Sequence, residues 1–117
     1  MTMIAWRLGH LHVDLAGRWE WAFGQRRRPP AELVDFSPSA AVARERLWAI
    51  VDRWRGSVAA VTDEQLDTVG FGQCPGTDDA EVPFITVIAE VNLELIHHMA
   101  EVALLRDLYR TRPTGAR

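Results

Sequence analysis

The sequence predicts an all-α protein of three long helices and one short one. Three observations carry that reading. Ile88, Val91, Leu95, Met99, Val102 and Leu105 recur at steps of three and four through the stretch from Val87 to Tyr109, the period of an amphipathic helix. Ile4 to Phe23 and the stretch up to about Val61 show the same period. No segment alternates strictly apolar and polar in the way a half-buried strand would, and no repeat or low-complexity run is present.

At 117 residues, with 48% hydrophobic and 25% charged residues, the chain is expected to form one domain, residues 1–117, with a single core. The net charge of −3 argues against nucleic acid as a partner, since such proteins are usually basic. Cys74 is the only cysteine, so an intramolecular disulfide is excluded and a cytoplasmic location fits. Charges interrupt every apolar run, so no membrane span is expected. The first ten residues lack the layout of a secretory signal.

Taken in order, Ile4–Phe23 is read as the first helix. Trp6, His10, Val13, Gly17 and Trp21 share one side, and Leu8, Leu11, Leu15, Trp19 and Ala22 cover much of the rest. A helix apolar over most of its circumference is usually buried between neighbours. Gly24 and the prolines at 29 and 30 end it. Arg26 to Arg28 are read as a solvated stretch; they could also neutralise the helix C-terminus or contact a phosphate. Ser37-Pro38 is read as the start of the second helix, serine as N-cap and proline at the first position. Its buried stripe would be Val42, Leu47, Ile50, Val51, Trp54, Val58 and Val61. Thr62 and Gln65 form a capping box for a short helical turn. Gly70 to Pro83 reads as a loop, with Cys74 in it as an unreactive thiol, because no base or cation stands nearby in sequence. Pro83 fits the first turn of the last helix, and Thr111 to Arg117 reads as a polar tail.

The last helix carries a second, polar row, Glu90, Glu94, His98 and Glu101. It borders the apolar stripe, where polar groups are costly unless paired or bound to something. Glu94 and His98 lie one turn apart, as two ligands of one metal ion would. The same spacing serves a plain Glu–His hydrogen bond equally well. The other histidines are His10, His12 and His97. On a helix, residues 10 and 12 point about 200° apart, so only one can join a shared site. If the first and last helices pack side by side, His10, Glu94 and His98 converge, with Asp14 nearby as a possible base. Two imidazoles and a carboxylate suit Zn²⁺, Ni²⁺ or Fe²⁺ with positions left open. The alternative is a polar cluster that joins two helices without metal.

AWRLGH in the first helix together with NLELIHHMAEVALLRDLY in the last resembles the DinB-like superfamily. The resemblance runs from Ala5 to about Tyr109. It implies a four-helix, up-down-down-up bundle, with the family's first helix expected ahead of Ala5 and so missing here. The chain is then expected to be shortened at its N-terminus, with an open apolar face that favours a homodimer. Many members bind metal through three histidines. The resemblance places His10 and His98 at two of those positions, Glu94 at the third, and His97 beside the triad. It further implies a metal-dependent, thiol-dependent transferase or hydrolase acting on a small molecule. The competing expectation is a non-catalytic dimerisation protein whose metal site has degenerated.

Overall fold

The computed structural model describes residues 3–28 and 39–111. Four α-helices stand among them: α1 (Met3–Phe23), α2 (Ala40–Ala59), α3 (Asp63–Leu66) and α4 (Phe84–Arg110), with a 3₁₀ turn at Asp79–Glu81. There is no strand among the described residues, only an isolated bridge between Val69 and Pro83. The all-α expectation of three long helices and one short one therefore holds.

α1 lies between the other two long helices. Its buried Leu8, Leu11 and Leu15 form one core with Ala43, Leu47, Ile50 and Trp54 of α2 and with Phe84, Val87 and Val91 of α4. Cross-helix bonds fix the directions. His12 and Trp19 of α1 reach Arg46 and Ser57 of α2, in the same order along both helices, so the two run parallel. Arg7 and Arg18 reach Glu101 and Glu90, in opposite order, so α4 runs antiparallel to α1. A parallel pair requires the chain to return along the bundle. The 24–39 stretch is long enough for this crossover: its extended reach would be about 50 Å, against the ~30 Å length of a 20-residue helix.

One end of the core is aromatic. The Phe23 ring stands 5.9, 5.8 and 5.6 Å from those of Trp54, Phe71 and Phe84, all edge-on, the arrangement ring quadrupoles favour. Trp19 finds the partner its indole N–H needs by donating to Ser57 Oγ at 2.9 Å.

Several boundaries shift from their expected places. Ser37 and Pro38 lie outside the described residues. The cap of α2 is Ser39, whose Oγ accepts from Val42 N–H. Val42 then falls on the first exposed turn, 39% accessible, and does not belong to the buried stripe. α2 stops at Ala59, because Thr62 and Gln65 open α3 through a reciprocal capping box, each side chain bonded to the other residue's N–H. Pro83 is the N-cap of α4 and stands just outside its first turn, and the helix begins three residues before Val87. Met99, placed on the buried stripe, is 37% exposed. Residues 112–117 lie outside the described residues.

The C-terminus of α1 depends on Glu20. Its Oε1 accepts from the N–H groups of Gln25 and Arg27 at 3.1 and 3.4 Å, while Gly24 N–H bonds to the Glu20 carbonyl at 3.0 Å. A side chain at Gly24 would collide with the Glu20 carboxylate. Glycine is needed there for space; the left-handed residue is Arg26, with φ 57°.

Candidate metal centre

α1 and α4 face each other through two polar clusters, separated along the bundle. In the first, one ligand atom from each of His10, Glu94 and His98 lies within 4.8 Å of the other two. Two helices supply them, as the sequence predicts. The imidazoles of His10 and His98 meet edge to face, centroids 5.0 Å apart and planes at 76°. Trp6 stacks on the outer face of His10, 5.3 Å away and within 1° of parallel. His98 Nε2 sits 3.2 Å from Glu94 Oε2. The opposite ring nitrogen, Nδ1, is 2.9 Å from Glu101 Oε1.

Glu101 is held from behind. Arg7 places Nε and Nη2 on its Oε2 at 3.0 and 2.9 Å. The hydrogen bond from Arg7, with its charge, keeps the Glu101 carboxyl below the usual range and so ionised. A carboxylate behind a ligating histidine fixes which ring nitrogen carries the proton and leaves the other free to bind metal. Here Nδ1 and Oε1 are close but not aligned, and both are buried without a hydrogen bond. A small turn of the ring would satisfy both.

The donor set fits a divalent transition metal better than Ca²⁺ or Mg²⁺, which prefer all-oxygen shells. His98 Nε2 and Glu94 Oε2, 3.2 Å apart, are spaced as two ligands bound at about 2.0–2.2 Å from one ion would be. Two other groups have the right residue types. His97, His98 and Glu101 share His98, but the carboxylate is already taken by Arg7 and the His97 side chain is 66% exposed. Asp78, Asp79 and Glu90 stand beside a cation, Arg18, which occupies the role an ion would have.

Arg18 and its carboxylates form the second cluster. Arg18 is 9% exposed and Asp79 1%, and they pair at 2.9 Å. Asp14 and Glu90 add contacts to the guanidinium at 3.5 and 3.6 Å. Burial works against the charge on Arg18, but Asp14, Asp79 and Glu90 outweigh it and raise its pKa. Burial likewise pushes Asp79 up, with Arg18 opposing. The structure thus divides the polar row of α4: Glu90 serves Arg18, and only Glu94, His98 and Glu101 reach the His10 cluster. Asp14, expected beside the candidate metal ligands, is committed to Arg18 instead. Neither Arg7 nor Arg18 was singled out by periodicity, and their partners lie 94 and 61 residues away. The signal available was the polar row itself, which needed cations opposite.

Cys74, half-buried beside this cluster, is pushed up by burial and by the negative charge of Asp79. That agrees with an unreactive thiol. No helix among the described residues is long and apolar enough to cross a membrane.

No curated protein and no solved structure matches this chain. The family model of the DinB superfamily matches residues 1–102, a span that includes all of α1, α2 and α3 and the whole of the His10–Glu94–His98 cluster with Glu101 behind it. On a match of that extent, joined to an all-α bundle of the expected helix pattern, the chain belongs to the DinB superfamily.

Proposed function

We propose that His10, Glu94 and His98 bind one divalent metal ion, and that the chain uses it to transfer or hydrolyse a group on a small molecule, with a low-molecular-weight thiol as the co-substrate of a transfer. The observation that carries this reading is the convergence of the three ligand atoms from two helices, with Glu101 and Arg7 behind His98. Bound there, Zn²⁺, Ni²⁺ or Fe²⁺ would supply a Lewis acid able to lower the pKa of water or a thiol. The protein supplies the rest. Glu94 brings the one negative charge of the triad. Glu101, kept ionised by Arg7, stands where a small turn of the His98 ring would let Nδ1–H donate to it and leave Nε2 free. Trp6 covers His10 on one side and limits the approach of solvent there.

The test is metal content and affinity of protein purified without a histidine tag. We expect close to one equivalent of metal, and at least about tenfold weaker binding in His10→Ala and in His98→Ala, in line with losses seen even for outer partners. Unchanged metal content in both variants would leave only the polar cluster.

A second reading, association of two copies, is favoured by a separate observation. An apolar groove of about 550 Å³ is lined by residues of α1, α2 and α4, among them Ile4, Leu47, Trp48, Leu95 and Met99. Trp48 there is 57% exposed. In this reading the groove is the contact face between copies, and it does not involve His10, Glu94 or His98.

A further inference from the structure

His10 and His12 leave α1 on opposite sides, and His12 serves a place of its own. Its ring lines a cavity of about 500 Å³ between α1, α2 and the start of the crossover. Four arginines border this cavity: Arg46 and Arg53 from α2, Arg27 and Arg28 from the crossover. Among the described residues that line it, one carboxylate, Glu20, is present, and it is engaged by Arg27 at 3.6 Å and by two backbone N–H groups. Among the described residues, Arg28, Arg46 and Arg53 pair with no carboxylate; Arg53 lies over the Trp19 ring, 4.8 Å from its centroid. In a protein of net charge −3, this is a local excess of guanidinium groups, the side chain best suited to hold oxyanions in paired hydrogen bonds.

The second observation is independent of charge. His12 is 8% exposed. Its Nδ1 lies 3.1 Å from the Arg46 carbonyl oxygen, so Nδ1 carries the proton and donates, and Nε2 presents a lone pair. Nε2 is buried and has no hydrogen-bond partner. Buried polar atoms left in that state are rare and costly, and this one belongs to a side chain that forms the cavity wall. Ala16, Ala49 and Ile50 make the remaining wall apolar.

We propose that this cavity binds a small organic oxyanion bearing a hydroxyl. The carboxylate or phosphate is held by Arg46 and Arg53 with Arg27 and Arg28 at the mouth. The hydroxyl donates to His12 Nε2, and the carbon body rests on Ala16, Ala49 and Ile50. Carboxylates and phosphate esters share this chemistry. The site lies on the face of α1 turned away from the metal centre, and the proposal stands whether or not metal binds there.

Calorimetric titration with 3-hydroxybenzoate and with 3-hydroxyphenyl phosphate tests it, with EDTA present so that neither acid is captured by a metal ion. We expect saturable binding at one site per chain, and the tighter of the two identifies carboxylate or phosphate as the natural group. Arg46→Gln/Arg53→Gln should weaken it about tenfold or more, the loss of charge-assisted bonds. Arg27→Gln/Arg28→Gln changes only exposed residues outside the helices and should weaken it several-fold with the fold intact, which keeps the test valid if the helix variant misfolds. Benzoate, which lacks the hydroxyl, should bind more weakly than its 3-hydroxy form. No saturable binding of either acid, equal binding of uncharged phenol, or binding untouched in the Arg27/Arg28 variant would overturn the proposal.

Discussion

Glu94 and His98 show what one residue can decide. His98 Nε2 and Glu94 Oε2 lie 3.2 Å apart, a distance that serves either reading of the sequence. Changing Glu94 to histidine separates them. Imidazole is a good ligand for Zn²⁺ and Ni²⁺, so Glu94→His should keep or tighten metal affinity measured by calorimetry on metal-free protein. Without a metal site, the same change only removes the carboxylate beside His98 and affinity stays negligible. Asp79 gives a second test at this scale. Burial raises its folded pKa above the ordinary 3.8 and raises that of Glu90 above 4.5. Between those ordinary values and the raised ones, the folded chain holds more protons than the unfolded chain. The contribution of these two groups to stability therefore grows as pH falls through that window. Asp79→Asn abolishes its share, so the melting temperature of the wild type relative to this variant should rise on mild acidification. A constant difference across pH would show that Asp79 has no raised pKa. Glu101, whose folded pKa is lowered, works in the opposite sense: its contribution is present above the unfolded value and lost as pH falls through the folded one.

At the scale of elements, caps and directions matter more than propensity. The short α3 survives because Thr62 and Gln65 satisfy each other's orphan N–H groups. Thr62→Ala removes one of those bonds, and a loss of about 1 kcal/mol is expected, read as a lower midpoint in chemical denaturation with an unchanged slope. The long helices were legible because Leu8, Leu11, Leu15, Leu47, Ile50, Trp54 and Val91 keep a helical period and are all buried. Their ends were less so. Ser37 and Ser39 are both adequate N-caps in sequence; the cap of α2 is Ser39, and Ala43 four residues on is buried in the core. The candidate metal triad was legible for a similar reason, since two of its members share a helix face and the third lies on the helix of matching polarity. Arg18 with Asp79 was not, because one partner stands on a helix that reads as apolar over most of its circumference and the other in a loop without periodicity. The cavity at His12 was hidden too. Arg27 and Arg28 read as solvated, and nothing local placed Arg46 and Arg53 opposite them.

Over the whole molecule, the helices make an elongated body of 57 × 26 × 23 Å with a radius of gyration of 16.1 Å, above the ~13 Å of a compact chain this long. α4 accounts for much of the length, and beyond its contact with Arg7 its last turns expose Leu104, Leu108 and Tyr109. Together with the groove at Trp48, these residues leave a large apolar area in water. Association through the groove is expected to appear as a rise in mass with concentration in equilibrium sedimentation over the micromolar range. Trp48→Glu should return the protein to monomer mass, and a monomer at every concentration in the wild type would remove the second reading.

The tie between Arg7 and Glu101 spans 94 residues, and this has a meaning for the chain as it is made. Synthesis proceeds at about 5–20 residues per second, so roughly 5–20 s pass between the emergence of one partner and the other. During that interval α1 can dock on α2, while Phe84, Val87 and Val91 of α4 have yet to reach its other side. His10 likewise waits without Glu94 or His98. The nascent chain thus passes through a two-helix stage in which the α4 share of the core around Leu8, Leu11 and Leu15 is still to come, and the candidate ligand set is complete only once His98 has emerged.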